Sequence, residues 1–107
     1  MPTASFPQSF IYRTHTATTD AMFNLTTADL WMREANIHVE TNNAKYGDRA
    51  GQDAQITAGD VVIFEDFNLL DVFFKNAGAG ANTVIRVVGV VMTEGRKKDL
   101  GISEYTR

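Results

Sequence analysis

The stretch from Ile56 to Met92 decides the fold, and it reads ITAGDVVIFEDFNLLDVFFKNAGAGANTVIRVVGVVM. It contains three runs rich in Val, Ile and Phe, and each run is bounded by Gly, Asp or Asn. Such runs predict consecutive β-strands joined by short turns. We place these strands at residues 61–67, 69–76 and 83–93, with a loose glycine-rich connector at 77–82.

The part of the chain before Ile56 alternates in a similar way. In residues 33–41 the side chains of Ala35, Ile37 and Val39 point to one side, and polar side chains point to the other. This alternation predicts a strand with one face on the core and one face in water. We also predict strands at 9–16 and 21–27, a short strand or bend at 45–48, and a polar surface loop at 49–55.

About eight short strands with frequent turns predict an all-β fold. The expected architecture is an antiparallel β-sandwich or jelly roll, and an open barrel is the nearest alternative. No segment shows a helical stripe, so we expect less than about 10% helix, against a usual third. The single domain, 1–107, divides into an extended N-terminal arm at 1–8, a body at 9–93 and a polar C-terminal tail at 94–107.

The composition argues against several classes of function. The chain has 10 basic and 13 acidic residues and a net charge of −3, whereas nucleic-acid-binding proteins usually show a clustered basic surface. The longest apolar run, 84–92, contains Arg86 and is shorter than the roughly 20 residues that cross a bilayer. We therefore expect no nucleic-acid partner and no membrane partner. The N-terminus lacks a basic region followed by an apolar core, which predicts synthesis in a cytoplasm without secretion.

No set of catalytic or metal-binding residues stands out. His15 and His38 are far apart in the sequence and the chain has no cysteine, so the usual ligands of a zinc or iron site are missing. Glu65 and Asp66 are neighbours in a predicted strand and face opposite sides, which prevents an acid–base pair in one pocket. We expect a protein that is not an enzyme and needs no cofactor or metal. A cupin-type enzyme is disfavoured because there is no His-x-His pattern.

The last predicted strand carries more apolar surface than a two-layer domain needs. Ile85, Val87 and Val91 form one face, and a second apolar face lies opposite them. Such a surplus indicates burial against another chain, and closed symmetry is the usual arrangement. We expect a homodimer or homotrimer, and the terminal arms supply further apolar contacts. The interface candidates are Phe6, Phe10, Val88, Val90, Met92, Leu100, Ile102 and Tyr105, and a similar surplus is predicted at Ile63, Leu69 and Phe73.

Four segments share a recurring pattern of strands and turns. They are IHVETNNAKYG at 37–47, ITAGDVVIF at 56–64, LDVFFKNAGAG at 70–80 and VIRVVG at 84–89. Together they resemble the small β-sandwich virion proteins of tailed bacteriophages, in which a strand ends in a Tyr-Gly turn, a Gly-Asp turn starts the next strand, and an aromatic strand precedes a Val-rich one. The resemblance covers about residues 35–93 and contains no catalytic or ligand-binding motif.

This resemblance implies a structural part of a virus particle. The expected function is that of a head decoration or cement protein, which binds the major capsid protein and stabilises the coat shell of the virion. A place in the neck, tail or fibre is an alternative within the same class. A host-attachment module that binds a carbohydrate or another small ligand is an alternative from a different class. Exposed aromatic side chains beside a pocket would favour glycan binding, and ordered arms that leave the body would favour the cement function.

Overall fold

The computed structural model describes residues 10–102 as seven β-strands, a 3-10 turn and a short α-helix. Residues 1–9 and 103–107 lie outside the described residues, and so do the predicted N-terminal arm and the candidates Phe6 and Tyr105. The strands are β1 (Phe10–Thr16), β2 (Trp31–Thr41), β3 (Ala44–Gly47), β4 (Ala54–Ile56), β5 (Val61–Asn68), β6 (Phe73–Asn76) and β7 (Val84–Val91). The 3-10 turn spans Leu69–Asp71 and the helix α1 spans Glu94–Asp99.

The strands form two antiparallel sheets. One sheet has four strands in the order β1-β7-β2-β5, and the other has three strands in the order β4-β3-β6. The predicted all-β antiparallel sandwich is thereby confirmed, and the one short helix in the described part agrees with the low helix content expected. A jelly roll has roughly eight strands in two Greek keys. The described strands form a four-plus-three sandwich and do not establish that connectivity.

The core lies between the two sheets. The alternation predicted in β2 is confirmed, because Ala35, Ile37 and Val39 are at most 1% exposed while the intervening side chains reach solvent. β7 contributes Ile85 and Val87, which are fully buried. The four-stranded sheet therefore turns one face inward and leaves the opposite face uncovered by the other sheet.

Aromatic rings fill the centre of the core. Phe74 on β6 is fully buried, and its ring centroid lies 6.0 Å from that of Phe23 and 6.4 Å from that of Tyr46. Tyr46 also meets Phe64 edge-on, at a centroid distance of 5.5 Å. Offset and edge-on contacts of this kind stabilise a core beyond the area that they bury.

The predicted strand at 21–27 is wrong. This segment consists of bends, and it joins the sheets through a single bridge in which Phe23 and Phe74 exchange two backbone hydrogen bonds of 2.8 and 2.9 Å. The next residue, Asn24, donates from Nδ2 to the carbonyl oxygens of Leu70 and Val72. Its side chain therefore satisfies backbone acceptors that a strand partner would otherwise satisfy.

The predicted strand at 69–76 begins four residues later than expected. The carboxamide oxygen of Asn68 accepts hydrogen bonds from the N–H groups of Leu70 and Leu30, so the chain starts a 3-10 turn at Leu69 instead of extending. Leu69 is 0% exposed and Phe73 is 8% exposed. Both belong to the core, and the surplus apolar surface predicted at these two positions is absent.

Two polar segments also differ from the prediction. The surface loop at 49–55 ends in β4, which pairs with β3, and Gln52 is only 6% exposed because its Nε2 donates to the carbonyl oxygen of Asp48. The tail after β7 begins with α1. Thr93 caps this helix by accepting from the N–H of Arg96, and basic side chains in the last turn suit the helix dipole.

An ion pair holds α1 against the four-stranded sheet. The Arg96 side chain donates from Nη2 to Oδ2 of Asp66 at 2.7 Å and from Nε to Oδ1 at 3.3 Å. These hydrogen bonds lower the pKa of Asp66 below its ordinary value of 3.8. Because the pKa of Asp66 is lower in the folded state, the ion pair stabilises the fold at pH values above the ordinary pKa of 3.8. This stabilisation is lost as the pH falls through the folded-state pKa.

We expect acid to release α1 before the sandwich unfolds. Amide hydrogen exchange at residues 94–99 should accelerate as the pH falls below about 4, after correction for the intrinsic pH dependence of exchange, while exchange in β2 stays slow. The Asp66→Asn variant should show faster exchange in α1 at neutral pH and little further response to acid. Equal acid sensitivity of α1 in both proteins would contradict this role of the ion pair.

Candidate interaction surface

The face of the four-stranded sheet that points away from the other sheet is the candidate functional site, and we call it the outer face. The antiparallel registers align its side chains in three rows across β1, β7, β2 and β5. The first row is Phe10, Val90, Glu34 and Glu65. The middle row is Tyr12, Val88, Asn36 and Ile63. The third row is Thr14, Arg86, His38 and Val61.

Apolar side chains occupy two of the four positions in the first row, three of the four in the middle row and one end of the third. Six large apolar side chains are exposed in the part of the chain that the structure describes, and four of them lie on the outer face. These are Phe10 at 61%, Tyr12 at 62%, Ile63 at 59% and Val61 at 42% exposure. Val88 and Val90 lie between them and are half-buried. These apolar side chains form one patch on β1 and β7 and a smaller one on β5, separated by the polar side chains of β2. Exposed apolar patches mark interaction sites in soluble proteins.

The structure brings three of the predicted interface candidates together. Phe10 and Val90 are direct partners in the register of β1 and β7, and Val88 lies in the next row. Leu100 is exposed and Ile102 is half-buried, but both follow α1 and are not part of the outer face. The surplus predicted at Ile63 is confirmed by its exposure.

The prediction that Met92 shares the exposed face is wrong. Met92 lies beyond the end of β7 and is 3% exposed. Its N–H donates to the carbonyl oxygen of Trp31 at 2.9 Å, so the backbone stays attached to β2 while the side chain is buried within its own chain. The alternation of side chains along β7 therefore predicts the exposed face correctly up to Val90. It does not apply to Met92, which lies beyond the end of the strand.

Two exposed apolar side chains of the outer face were not among the candidates. Tyr12 and Val61 lie on edge strands, and each is two residues from a more obvious apolar position, Phe10 or Ile63. The period of two in β1 and β5 is a signal that could have identified them. The sequence does not reveal the strand register that places Tyr12 beside β7 and Val61 beside β2.

The acidic corner of the outer face is incompletely neutralised. Glu34 and Glu65 are direct cross-strand partners, and like charges in this relation destabilise a sheet. The Nη1 of Arg33 lies 4.0 Å from Glu65 and 3.7 Å from Asp66. The Glu34 side chain makes no hydrogen bond or ion pair with any residue from 10 to 102. A donor from outside the domain would therefore find an available acceptor here.

The opposite corner presents hydrogen-bond donors. Arg86 forms an ion pair with Glu40, and its guanidinium carbon lies 5.4 Å from the centre of the Tyr12 ring. The second contact is within the distance of a cation–π pair. His38 is the cross-strand neighbour of Arg86 and is half-buried. The third row therefore combines a positive charge with an imidazole beside it.

A shallow cavity of about 240 Å³ opens in the first two rows. Phe10, Glu34 and Asn36 are among the residues that line it. The Oδ1 atom of Asn36 is buried and accepts no hydrogen bond from the described part of the chain. An acceptor that is buried without a donor lowers the stability of the fold by about 1–3 kcal/mol. The region around Asn36 is therefore better suited to binding a partner than to stabilising the domain.

The described residues contain no group of three His, Cys, Asp or Glu side chains that could hold a metal ion. The two histidines lie on opposite faces of the four-stranded sheet, because His15 stacks on Phe23 with ring centroids 4.1 Å apart while His38 lies on the outer face. Within residues 10–102, no helix is both long enough and apolar enough to span a membrane.

Comparison of the sequence with protein-family models and with curated proteins finds no match. The outer face combines two apolar patches, on β1–β7 and on β5, with acceptors at one corner and donors in the third row.

Proposed function

We propose that this protein is a non-enzymatic structural component of a tailed-bacteriophage virion that binds the coat shell as a decoration or cement protein. The observation that carries the proposal is the outer face, which exposes four large apolar side chains on one sheet of a small sandwich. Full burial of such a side chain contributes about 1.5–3 kcal/mol. A face of this composition is therefore suited to assembly, and the resemblance over about residues 35–93 indicates the kind of particle.

The proposed mechanism is mechanical. Copies of the protein associate through the outer face and bind the major capsid protein through the terminal segments, which contain Phe6, Leu100, Ile102 and Tyr105. Each contact is small, but linked contacts on one shell act together and raise the overall affinity well above that of any one of them. The bound layer covers the joints between coat subunits and opposes the pressure of the packaged DNA.

Binding to purified heads of the phage that encodes the chain tests this function. We expect saturable binding with a fixed number of copies per head in a co-sedimentation assay, and we expect decorated heads to release their DNA at a higher temperature. Deletion of residues 1–8 should lower the occupancy without changing the circular dichroism spectrum, because the described sandwich begins at Phe10. Binding that never saturates, or no binding at all, would refute the proposal.

One observation favours a second candidate, a host-attachment module that binds a carbohydrate or another small ligand. The exposed ring of Phe10 and the carboxylate of Glu34 border the same shallow cavity, and pockets that orient small ligands combine an aromatic wall with a few polar groups. A glycan array separates the two candidates. Glycan binding that disappears in the Phe10→Ala variant, without binding to heads, would favour the second candidate over the first.

A further inference from the structure

We infer that the outer face binds the outer face of a second copy, in a twofold dimer whose strands run antiparallel across the interface. This inference deepens the proposed function, on which it rests, by naming the partner of the outer face. It starts from the distribution of hydrogen-bonding groups over the three rows.

The rows are complementary to one another. The first row contains the acceptors Glu34 and Glu65, and the third row contains the donor Arg86 beside His38. The middle row between them is apolar except for Asn36. Neither Glu34 nor His38 has a side-chain hydrogen bond or ion pair within residues 10–102. The acceptors and the donors therefore lie in different rows of the outer face. They are separated along the strand direction by the largely apolar middle row.

A single symmetry operation matches these groups. A twofold axis in the plane of the interface, lying along the middle row at right angles to the strands, places the first row of one copy on the third row of the other. The carboxylate of Glu34 then faces His38 of the partner subunit, close to Arg86 of the partner subunit. The middle row packs on its own copy, so Ile63 faces Ile63 of the partner subunit. Each polar contact occurs twice, as an isologous interface requires.

The other way to stack the two faces leaves the charges unmatched. A twofold axis parallel to the strands would lay β1 on β5 and β7 on β2, and would keep each row on its own copy. Glu34 would then cover Val90 of the partner subunit, with no donor opposite it, while Arg86 would cover His38 of the partner subunit. Burying a carboxylate without a donor is costly. The arrangement with the axis along the middle row gives Glu34 a donor across the interface, so the pattern of polar groups favours it. Glu65 then faces Val61 of the partner subunit on the edge strand, where the Nη1 of Arg33 from its own chain lies 4.0 Å away.

The size of the face indicates how strong the dimer is. Four strands spaced about 4.8 Å apart and seven residues long at about 3.3 Å per residue cover roughly 19 by 23 Å, or about 440 Å² per copy. Two copies bury roughly 900 Å², which is about a quarter below the usual lower limit of about 1,200 Å² for specific, stable interfaces. We therefore expect a dimer that dissociates on dilution.

Sedimentation velocity of the full chain at several concentrations tests the inference. The wild-type protein should shift from monomer towards dimer as its concentration rises. Glu34→Lys and His38→Glu should each weaken the dimer at least tenfold, since the first brings a lysine close to Arg86 of the partner subunit and the second places a glutamate opposite Glu34 of the partner subunit. An equimolar mixture of the two variants should restore association, because the introduced lysine then faces the introduced glutamate. The matched control Asp53→Lys reverses an exposed charge outside the outer face and should dimerise like the wild type.

Cross-linking provides a second measurement that does not depend on charge variants. The chain has no cysteine, so Ile63→Cys offers a unique thiol in the middle row. A short bismaleimide should join two copies of this variant in the arrangement with the axis along the middle row, where position 63 faces position 63. In the arrangement with the axis parallel to the strands, position 63 faces Tyr12 of the partner subunit, and the two thiols lie too far apart.

Each of four results would overturn the inference: a wild-type chain that stays monomeric, a trimer, a dimer unaffected by either charge variant, or variants that do not restore association when mixed. The inference and the virion function can fail separately. A dimer with these properties that never binds heads would refute the virion function alone. Saturable binding to heads by a protein that stays monomeric would refute the dimer alone.

Discussion

Replacing Phe74 with alanine is expected to lower the free energy of unfolding by about 3–5 kcal/mol. Phe74 is 0% exposed and lies between the rings of Phe23 and Tyr46, so its removal opens a cavity between the two sheets. A domain of this size is stable by only about 5–15 kcal/mol, which makes the variant marginally stable. Urea denaturation followed by circular dichroism measures the loss as a lower midpoint with an unchanged slope.

Phe10→Ala is the matched control, because it removes the same ring from the outer face. Phe10 is 61% exposed, so the free energy of unfolding of the monomer should change by about 0.5 kcal/mol or less. The same substitution should weaken the dimer, since it removes apolar area from the proposed interface. Equal destabilisation of the monomer by both substitutions would mean that the outer face is packed like a core, which contradicts its assignment as an interaction surface.

Several features of the fold are predictable because they are local. The period of two in β2 separates Ala35, Ile37 and Val39 from their polar neighbours, and this pattern needs no knowledge of other strands. The turn residues around Gly59 and the β-branched run of β7 are equally local. Strands with strong local patterns were therefore placed within two residues of their observed ends.

Other features depend on contacts between distant residues. Asn24 donates to Leu70, 46 residues away, and Asn68 accepts from Leu30, 38 residues away. In each case an asparagine side chain forms a hydrogen bond with the backbone of a distant segment, in place of the backbone-to-backbone hydrogen bonds of paired strands. The predicted strand at 21–27 failed for this reason, and so did the first half of the one at 69–76.

The outer face was predictable in part for the same reasons. The exposure of Val88 and Val90 can be predicted from the two apolar faces of β7, which are visible in the sequence alone. The neighbours of these residues follow from strand order and register, which place Tyr12 on one side of Val88 and Asn36 on the other. The complementarity of the three rows is therefore a property of the folded sheet.

Gly89 is the position where the outer face is most sensitive to a small change. It lies within β7, opposite Ala35, and next to a register shift between Met32 and Glu34 on β2. A Cβ atom at this position would lie 2.5 Å from the carbonyl oxygen of Glu34 and 2.7 Å from the Met32 methyl group. A glycine within a strand often marks such a close approach of another backbone.

We expect Gly89→Ala to lower the free energy of unfolding by about 1–3 kcal/mol, towards the upper end of the range for overpacked sites, because the nearest atom belongs to the backbone. Relief of the clash would push β7 away from β2 and displace Val88 and Val90, so the dimer should weaken as well. Urea denaturation measures the first effect and sedimentation velocity the second.

Gly78→Ala is the matched control for this substitution. Gly78 is exposed, and a Cβ atom there would meet nothing within 4 Å. Alanine restricts the unfolded chain more than glycine does, so this variant should gain about 0.4–1 kcal/mol. If Gly89→Ala were as stable as Gly78→Ala, β7 and β2 would be farther apart than the register shift implies. A Cβ atom at position 89 would then find room, and no displacement of Val88 and Val90 would be expected.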